Sequence, residues 1–600
     1  MLKEDTLMDL ISPRQLVNAN QYLQFFGGET LARILFKWLK LDRVNHIYSS
    51  YYNAPSAEFL SAIIRLMGVK FDVPEQDLKN IPATGPFITV SNHAYGGLDG
   101  ILMLNLLPTV RPDFKVIVNF LLTQLQPLQS YFLAVNPFET YKDVKSSFGG
   151  LKEAYSHLDD GHPLGIFPSG EVSSFKFNQM AVTDKEWQLS IIKFIKKARV
   201  PVVPIYFDGH NSTMFQLLGM IHPVLRTAKI PSEMFNKRGK TIHLRIGTPI
   251  TLKEQDAFED FREYGHFLRM RTYSMGIPFK QPRHSKPKYF SSPEKIIDPV
   301  APELIESEIE SIRNEHLLFE IQSSSVFCVP SAKIPNTLRE IGRLREITYR
   351  EVGEGTGKSL DIDKYDAHFE QLIFWDHSAK KIVGGYRIGK GKKILQQHGI
   401  KGFYISSLFR IEDGFTPVLE VSIELGRSYI IKEYQKKTHS LFLLWKGILY
   451  LLLKNPEYRY LLGPVSISNE FRNISRSLTA EFLKANYINP EFADFVHPTN
   501  DFRYTLPAAI NPNLFLHYVG KDLSRVERFI QDIDPAFRLP VLLKKYLSVN
   551  AEVIGFNVDP KFNNCLDALM VLDLLEVPSD IIEGLSKEIN DQSILERFRK

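Results

Sequence analysis

The apolar positions of this chain follow two rhythms. Between about residue 81 and residue 250, short apolar runs stand at 87–91, 115–118, 164–167, 202–207 and 241–246. Stretches of helical period separate them, such as Phe148, Leu151, Tyr155 and Leu158 ahead of the stop at Asp160-Gly161. Continuous apolar runs suit strands buried on both faces, so this part predicts a largely parallel sheet covered by helices. Ahead of the sheet, Leu31, Ile34, Leu35, Trp38 and Leu39 share one helical face, with Arg33, Lys37 and Lys40 turned from it. Such a basic amphipathic helix can lie in a membrane interface, and an ordinary packed helix fits the same pattern.

The rhythm changes at 276–330. Residues 276–288 are rich in proline and basic side chains, as an exposed linker would be, and 301–319 predict a helix whose Glu303, Glu306, Glu308 and Glu310 form a solvated face. Further on, a basic helix is expected at 338–345, and strands at 368–375 and 381–388 flank a hairpin turn. A strand at 418–423 is expected to run straight into a helix opening at 424–430, followed by a helix at 440–454 and a strand at 458–467. The longest apolar run, 441–453, is broken by Lys446 and Gly447 and is shorter than the roughly 20 residues of a spanning helix, so it reads as buried. The fold class is α/β throughout, divided as a first domain at 1–275, a linker at 276–330 and a second domain at 331–600.

Composition narrows the function classes. A chain of 600 residues exceeds one ordinary core, and 44% hydrophobic and 12% aromatic content argue for folded domains. A net charge of +5 is too mild for a nucleic-acid footprint. Two cysteines, Cys328 and Cys565, exclude a disulfide framework and suit a reducing compartment. Lys3, Glu4, Asp5 and Asp9 in the first ten residues leave no signal-peptide pattern. A cytoplasmic protein held peripherally at the inner face of the membrane is the expectation.

The chemistry begins at Thr89-Val90-Ser91-Asn92-His93, where a strand delivers an Asn-His pair to its end and a glycine-rich turn returns Asp99 at a helix start. A histidine accepts a proton near neutral pH, and a carboxylate on its other ring N–H fixes the tautomer. Phe167-Pro168-Ser169-Gly170-Glu171 and then Val200-Pro201-Val202-Val203-Pro204-Ile205 follow in order. These three blocks resemble the glycerolipid (lysophosphatidate-type) acyltransferase family. The resemblance implies that His93 deprotonates an acceptor hydroxyl, which attacks an acyl thioester directly, and that Asp99 orients His93. It places Asn92, Phe167, Pro168, Gly170 and Glu171 at the acceptor site. Five residues separate His93 from Asp99 where the family has four, an insertion that Gly96-Gly97 can absorb. The family's arginines are missing both after Phe167-Pro168 and in 132–137, which argues against a phosphorylated glycerol acceptor.

In the second half, Asp361-Ile362-Asp363-Lys364-Tyr365-Asp366, Gly384-Gly385-Tyr386-Arg387 and Glu424-Leu425-Gly426-Arg427 stand in order. The aspartates lack the glycine and bidentate glutamate of an EF-hand, so no metal is read there. Hairpin, strand, helix and strand look like a GNAT fold without its coenzyme A loop. The motifs resemble the acyl-homoserine-lactone synthases and the related GNAT-like family often labelled hemolysin, which includes ornithine- and glycine-lipid N-acyltransferases. That resemblance implies an acyl donor on acyl carrier protein, or acyl-CoA, with no bound cofactor. It places Asp361, Asp363, Asp366, Arg387 and Arg427 at the substrate site and makes Glu424 or Glu420 the base for an amine. A two-step enzyme is the resulting expectation: a 3-hydroxyacyl chain joined to a small amino acid in the second domain, then O-acylation of the lyso-amino-acid lipid at His93. A glycerophospholipid acyltransferase with an accessory domain and a non-catalytic membrane-associated scaffold are the rivals.

Overall fold

Buried parallel strands and their crossovers build the first of two units, which comprises Met1–Pro282 together with Ala508–Gly520. The computed structural model describes residues 12–13, 28–135, 144–177, 179–221, 223–280 and 293–589. Residues 1–10, positions 136–137 of the 132–137 block and most of the basic proline-rich stretch, from 281 on, lie outside the described residues.

The strands of this unit are β1 (Lys70–Asp72), β2 (Ile88–Ser91), β3 (Lys115–Asn119), β4 (Phe132–Val135), β5 (Leu164–Ile166), β6 (Ser174–Lys176), β7 (Ala181–Thr183), β8 (Val202–Phe207) and β9 (Thr241–Ile246). Seven form one sheet in the order β1-β9-β8-β2-β5-β3-β4, and β6 with β7 is a separate hairpin. All pairings in the large sheet are parallel except β8 with β9. The five strands expected from apolar runs are present. The edge strands β1 and β4 lie outside those five: β1, Lys70-Phe71-Asp72, has no apolar run, whereas β4, Phe132-Leu133-Ala134-Val135, is apolar throughout. Every residue of β2 and β8 is buried, and β2 lies between β8 and β5. The end of β2 is therefore a strand end in the middle of an open α/β sheet, where such folds place their chemistry.

Helix Gly28–Trp38 buries Phe36, and Leu39 just beyond its end is buried with it, while Ile34 and Trp38 remain 61% and 46% exposed. Of the apolar stripe read from sequence, Leu39 is thus packed, while Ile34 and Trp38 face outward. No described helix is long and apolar enough to cross a membrane.

A helix from far along the chain, Pro512–Val519, also belongs to this unit. Phe515 and Tyr518 are fully buried. The Tyr518 hydroxyl donates to Glu254 (2.8 Å) and accepts from Arg271 Nη1 (3.0 Å), and its ring lies 4.9 Å from that of Phe267. The division at 331–600 therefore needs correction, since the sequence order of the segment does not decide which core its apolar side chains join.

The second unit, Arg283–Pro507 with Lys521–Lys600, holds β10 (Leu317–Ile321), β11 (Ser324–Pro330), β12 (Glu370–Asp376), β13 (Lys381–Lys390), β14 (Phe409–Ile411), β15 (Ser422–Ile430), β16 (Tyr460–Ile467), β17 (Val496–Pro498), β18 (Glu552–Asp559) and β19 (Cys565–Asp573). Eight make a sheet in the order β10-β11-β12-β13-β15-β16-β19-β18. Only β15 with β16 is parallel, and only over Ser422–Glu424 against Tyr460–Leu462. Beyond that point β15 stays with β13 and β16 stays with β19, so the two strands part. Helix Thr438–Lys454, the apolar run, makes the crossover and buries Leu444, Ile448, Leu449, Leu451 and Leu452.

Two expectations change here. The described part of 276–330 is no linker: helix Pro302–His316 and strands β10 and β11 form an edge of the large sheet, with Ile305, Ile309 and Ile312 in its core. The expected strand-then-helix at 418–430 is reversed, because helix Thr416–Glu420 comes first and 422–430 is strand β15. Pro417 suits a first helical turn, and Gly426 followed by Arg427 at φ +50° cannot continue one.

The docked helix gives a stability test. Tyr518→Ala should destabilise the first unit by roughly 3–5 kcal/mol, by cavity formation and loss of a buried hydroxyl between Glu254 and Arg271, and Tyr518→Phe by about 1 kcal/mol. Denaturant unfolding of the full chain, followed for each unit, measures both.

Candidate active site

At the end of β2 the backbone leaves the sheet and two side chains take up opposite duties. Asn92 clips the strand ends together: its Nδ2 donates to Phe207 O (2.9 Å) and its Oδ1 accepts from Phe207 N (2.8 Å). His93 is left at the rim with its side chain 19% exposed, against 0% for Asp99. Gly96, at φ +86°, turns the chain into helix Gly97–Leu106 and so accommodates the extra residue between His93 and Asp99. Asp99 Oδ2 then accepts from His93 Nδ1 (3.0 Å), Tyr95 N (2.8 Å) and Gly96 N (3.0 Å). This arrangement keeps the proton on Nδ1 and leaves Nε2 with its lone pair, the form a general base needs. Burial pushes the Asp99 carboxyl up, with His93 and the two backbone N–H groups pulling against it.

The second block packs on the imidazole. The Phe167 ring lies 4.3 Å from that of His93. Pro168 is buried and accepts Gln188 N through its carbonyl (3.0 Å). Gly170, at φ +69°, closes a turn onto Phe167 O. Glu171 is held by Lys185 (3.1 Å) and Arg226 (2.8 Å); burial pushes its carboxyl up, and these two cations bring it below the usual range. An arginine therefore does stand beside this block, supplied from helix Pro223–Met234 and engaged by Glu171. Sequence reasoning missed Asp184. Its Oδ1 accepts His93 N (3.1 Å) and Ser173 Oγ (2.5 Å), and Ser173 N donates to His93 O (2.8 Å), so the β6–β7 hairpin pins the backbone of the base. Its position after a three-residue strand gave no periodic signal.

The second unit gathers its predicted residues into a buried lattice of charge. Arg345 meets Asp366 (3.0 Å), Arg387 meets Asp363 (2.7 Å) and Asp366 (3.2 Å), and Arg427 meets Asp361 (2.8 Å) and Asp363 (3.3 Å). Arg345 and Arg387 are completely buried. Asp366 lies far below the usual carboxylate range, since Arg345 and Arg387 outweigh the effect of burial. A bulge aims Arg427: Arg427 and Ser428 together oppose Tyr386, between the register pairs Arg387↔Gly426 and Gly385↔Tyr429. Bulges re-aim side chains, and the left-handed backbone at Arg427 is the strained conformation that such a role requires. Its guanidinium lies 4.8 Å from the Tyr404 ring centre and 5.0 Å from that of Phe562.

Glu424 is buried beside this lattice, and both its oxygens are occupied, by Tyr404 N (3.0 Å) and Ile405 N (2.9 Å). Burial pushes it up to about 7. Glu420 is exposed on the helix before β15 and joins none of these ion pairs, because the helix turns it toward solvent. Arg345 was read as part of an exposed basic helix. A signal did exist, since Arg345 stands four residues from both Ile341 and Tyr349 on the buried face of helix Pro335–Glu351.

Residues 18–279 match the family described as Acyltransferase, and residues 344–446 match the Acetyltransferase (GNAT) domain. The chain joins an acyltransferase domain to a GNAT domain. It is similar to the glycine N(alpha)-acyltransferase of Bacteroides thetaiotaomicron, 34% identical over 33% of this chain and 62% of that protein, and so spans less than two thirds of that relative. The protein of the same name from Phocaeicola vulgatus is 28% identical over 48% of this chain and 91% of its own length. The lyso-glycine lipid O-acyltransferase of Bacteroides thetaiotaomicron is 26% identical over 46% of this chain and 97% of its own.

The buried acids of the second unit set its pH response. Glu354 is pushed up to about 8, and Glu424 and Asp567 to about 7, each mainly by burial. A carboxyl raised on folding binds its proton more tightly in the native state, so its contribution favours folding below the unfolded value and is lost as pH rises through the folded one. Asp366 acts oppositely, and its contribution disappears only well below the ordinary aspartate pKa of about 3.9. Thermal unfolding of the full chain should show the second unit losing stability between about pH 5 and about pH 9, and Glu354→Gln should flatten the upper part of that decline.

Proposed function

We propose that this chain is a bifunctional acyltransferase that builds a two-chain amino-acid lipid, with glycine as the first amino acid to test. The observation that carries the reading is the His93–Asp99 pair, built at a sheet end with Nε2 free to act as a base, in a chain that also carries a GNAT domain. The names of the relatives, glycine N(alpha)-acyltransferase and lyso-glycine lipid O-acyltransferase, support the same two reactions. In the second unit, the amine of the amino acid attacks the thioester of a 3-hydroxyacyl donor carried by acyl carrier protein or coenzyme A. The C–N bond forms, the C–S bond breaks and the thiol leaves.

The product carries a hydroxyl. At the first site His93 Nε2 takes the hydroxyl proton as the oxygen attacks a second acyl thioester, Asp99 stabilises the imidazolium, and the proton passes to the departing thiolate. Arg226, engaged by Glu171, leaves the Phe167–Glu171 turn suited to an acceptor without phosphate. Peripheral binding to the inner face of the membrane fits a lipid substrate. It is supported by Ile34, Trp38, Phe177, Met180, Leu217 and Ile221, large apolar side chains that the first unit leaves exposed.

Expression in a host without amino-acid lipids, followed by mass spectrometry of the extracted lipids, tests the reading. Wild type should make a diacylated amino-acid lipid, His93→Ala should stop at the monoacylated amide, and Arg427→Ala should make neither. Persistence of the diacylated product in His93→Ala would remove His93 from the mechanism. In purified enzyme given the monoacylated amide, Asp99→Asn should slow O-acylation by roughly 10²–10⁴, because the wrong tautomer of His93 is then favoured.

A further inference from the structure

A cleft opens in the second unit at the point where β15 and β16 part. It is lined by Leu425 of β15, Leu461 and Gly463 of β16, Met570 and Leu572 of β19, and Tyr546, and it holds about 330 Å³ including its mouth. Pro464 helps to build the parting. Tyr460 N donates to Val421 O (3.2 Å) just ahead of β15, so Leu462 and Pro464, the alternate residues of β16, turn their backbone nitrogens to the same side. Pro464 has no N–H to give, and the ladder between the two strands ends before it. Leu461 pairs with Leu572 and Gly463 with Met570, so these four positions share one face of the sheet. A Cβ at Gly463 would run into Leu425 O, and the glycine therefore keeps that point of the face without a side chain.

Helix Val541–Ser548 supplies a further wall. Its Leu543 and Leu547 are buried and fix it in place. Tyr546, half-buried, lies against the cleft, and its ring stands 5.4 Å from that of Trp445 on the crossover helix Thr438–Lys454. Tyr546 is the largest side chain of the lining, and its helix lies outside residues 344–446, the part that matches the GNAT domain. The polarity of the cleft selects its occupant. No lining side chain is charged, and the Tyr546 hydroxyl is the one polar side-chain group among them. An amino acid's ammonium and carboxylate, or a donor's phosphates, would lose water there without a matching partner. A hydrocarbon chain needs only the apolar walls. Leu425 also stands directly after Glu424 and two residues before Arg427 on β15, so the cleft adjoins the charged motif.

We propose that this cleft holds the hydrocarbon chain of the thioester donor used by the second unit, and that Tyr546 determines the length of chain it accepts. The proposal rests on the N-acylation reading. The chain lies between the sheet face at Leu461, Gly463, Met570 and Leu572 and the Tyr546 ring, which Trp445 holds in place. A smaller residue at 546 adds room for methylene groups, and a larger one removes it.

S-acyl pantetheine thioesters, the part that coenzyme A and carrier-protein donors share, test the site in the full chain without any acceptor. With a photoreactive diazirine at the far end of the acyl chain, they should label the peptides that carry Tyr546 or Met570, and excess thioester lacking the diazirine should suppress the labelling. Along a series from about four to about fourteen carbons, the concentration for half-maximal labelling there should fall about fourfold for each added methylene until the cleft is filled. Tyr546→Ala should move that limit to longer chains and Tyr546→Trp to shorter ones, and shifts in opposite directions cannot come from loss of fold. Labelling that misses both peptides, or one limit shared by wild type and both variants, overturns the proposal. If labelling and shifts are as stated and no amino acid yields an N-acyl product, the N-acylation reading fails and the chain site stands.

Discussion

Buried charge that must be matched shapes both units of this chain. A carboxylate or guanidinium withdrawn from water costs several kcal/mol unless partners surround it, so each buried ionic group dictates the backbone around it. Asp99 is matched by an imidazole and two backbone N–H groups, which forces the turn at Gly96 and presents His93 in one tautomer. Three arginines and three aspartates match one another in the second unit, which forces the bulge at Arg427. In both places the functional geometry follows from neutralising charge in a dry interior.

The two sites use that constraint differently. At His93 one ring nitrogen is buried against a fixed acid and the ring remains 19% exposed, the division of labour of a general base. The lattice in the second unit is saturated and rigid. Such networks contribute little net stability, and breaking one member leaves an uncompensated charge. Its value lies in placement: it ties helix Pro335–Glu351 and the segment Asp361–Asp366 to β13 and β15.

The helix at 512–519 shows how far chain order and packing can diverge. Its buried aromatic residues, Phe515 and Tyr518, complete the core of the first unit from a position beyond most of the second. An apolar helical face carries no address, because any complementary groove satisfies it equally. The same indifference explains Glu424, whose neighbours Gly426 and Arg427 fit a strand only when β13 supplies the opposite half of a bulge.

By itself the amino-acid order determined the strands β2, β3, β5, β8 and β9, the hairpin of β12 and β13, and the His93 and Arg427 motifs. The physical reason is that continuous burial and strand-end chemistry leave contiguous traces along the chain. Tertiary structure alone decided the partners: Asp184 behind His93, Arg226 on Glu171, and Arg345 inside the lattice. Each of these pairs residues from separate elements, and matching one buried group to another is a property of the closed interior, with no period or spacing in the chain to announce it.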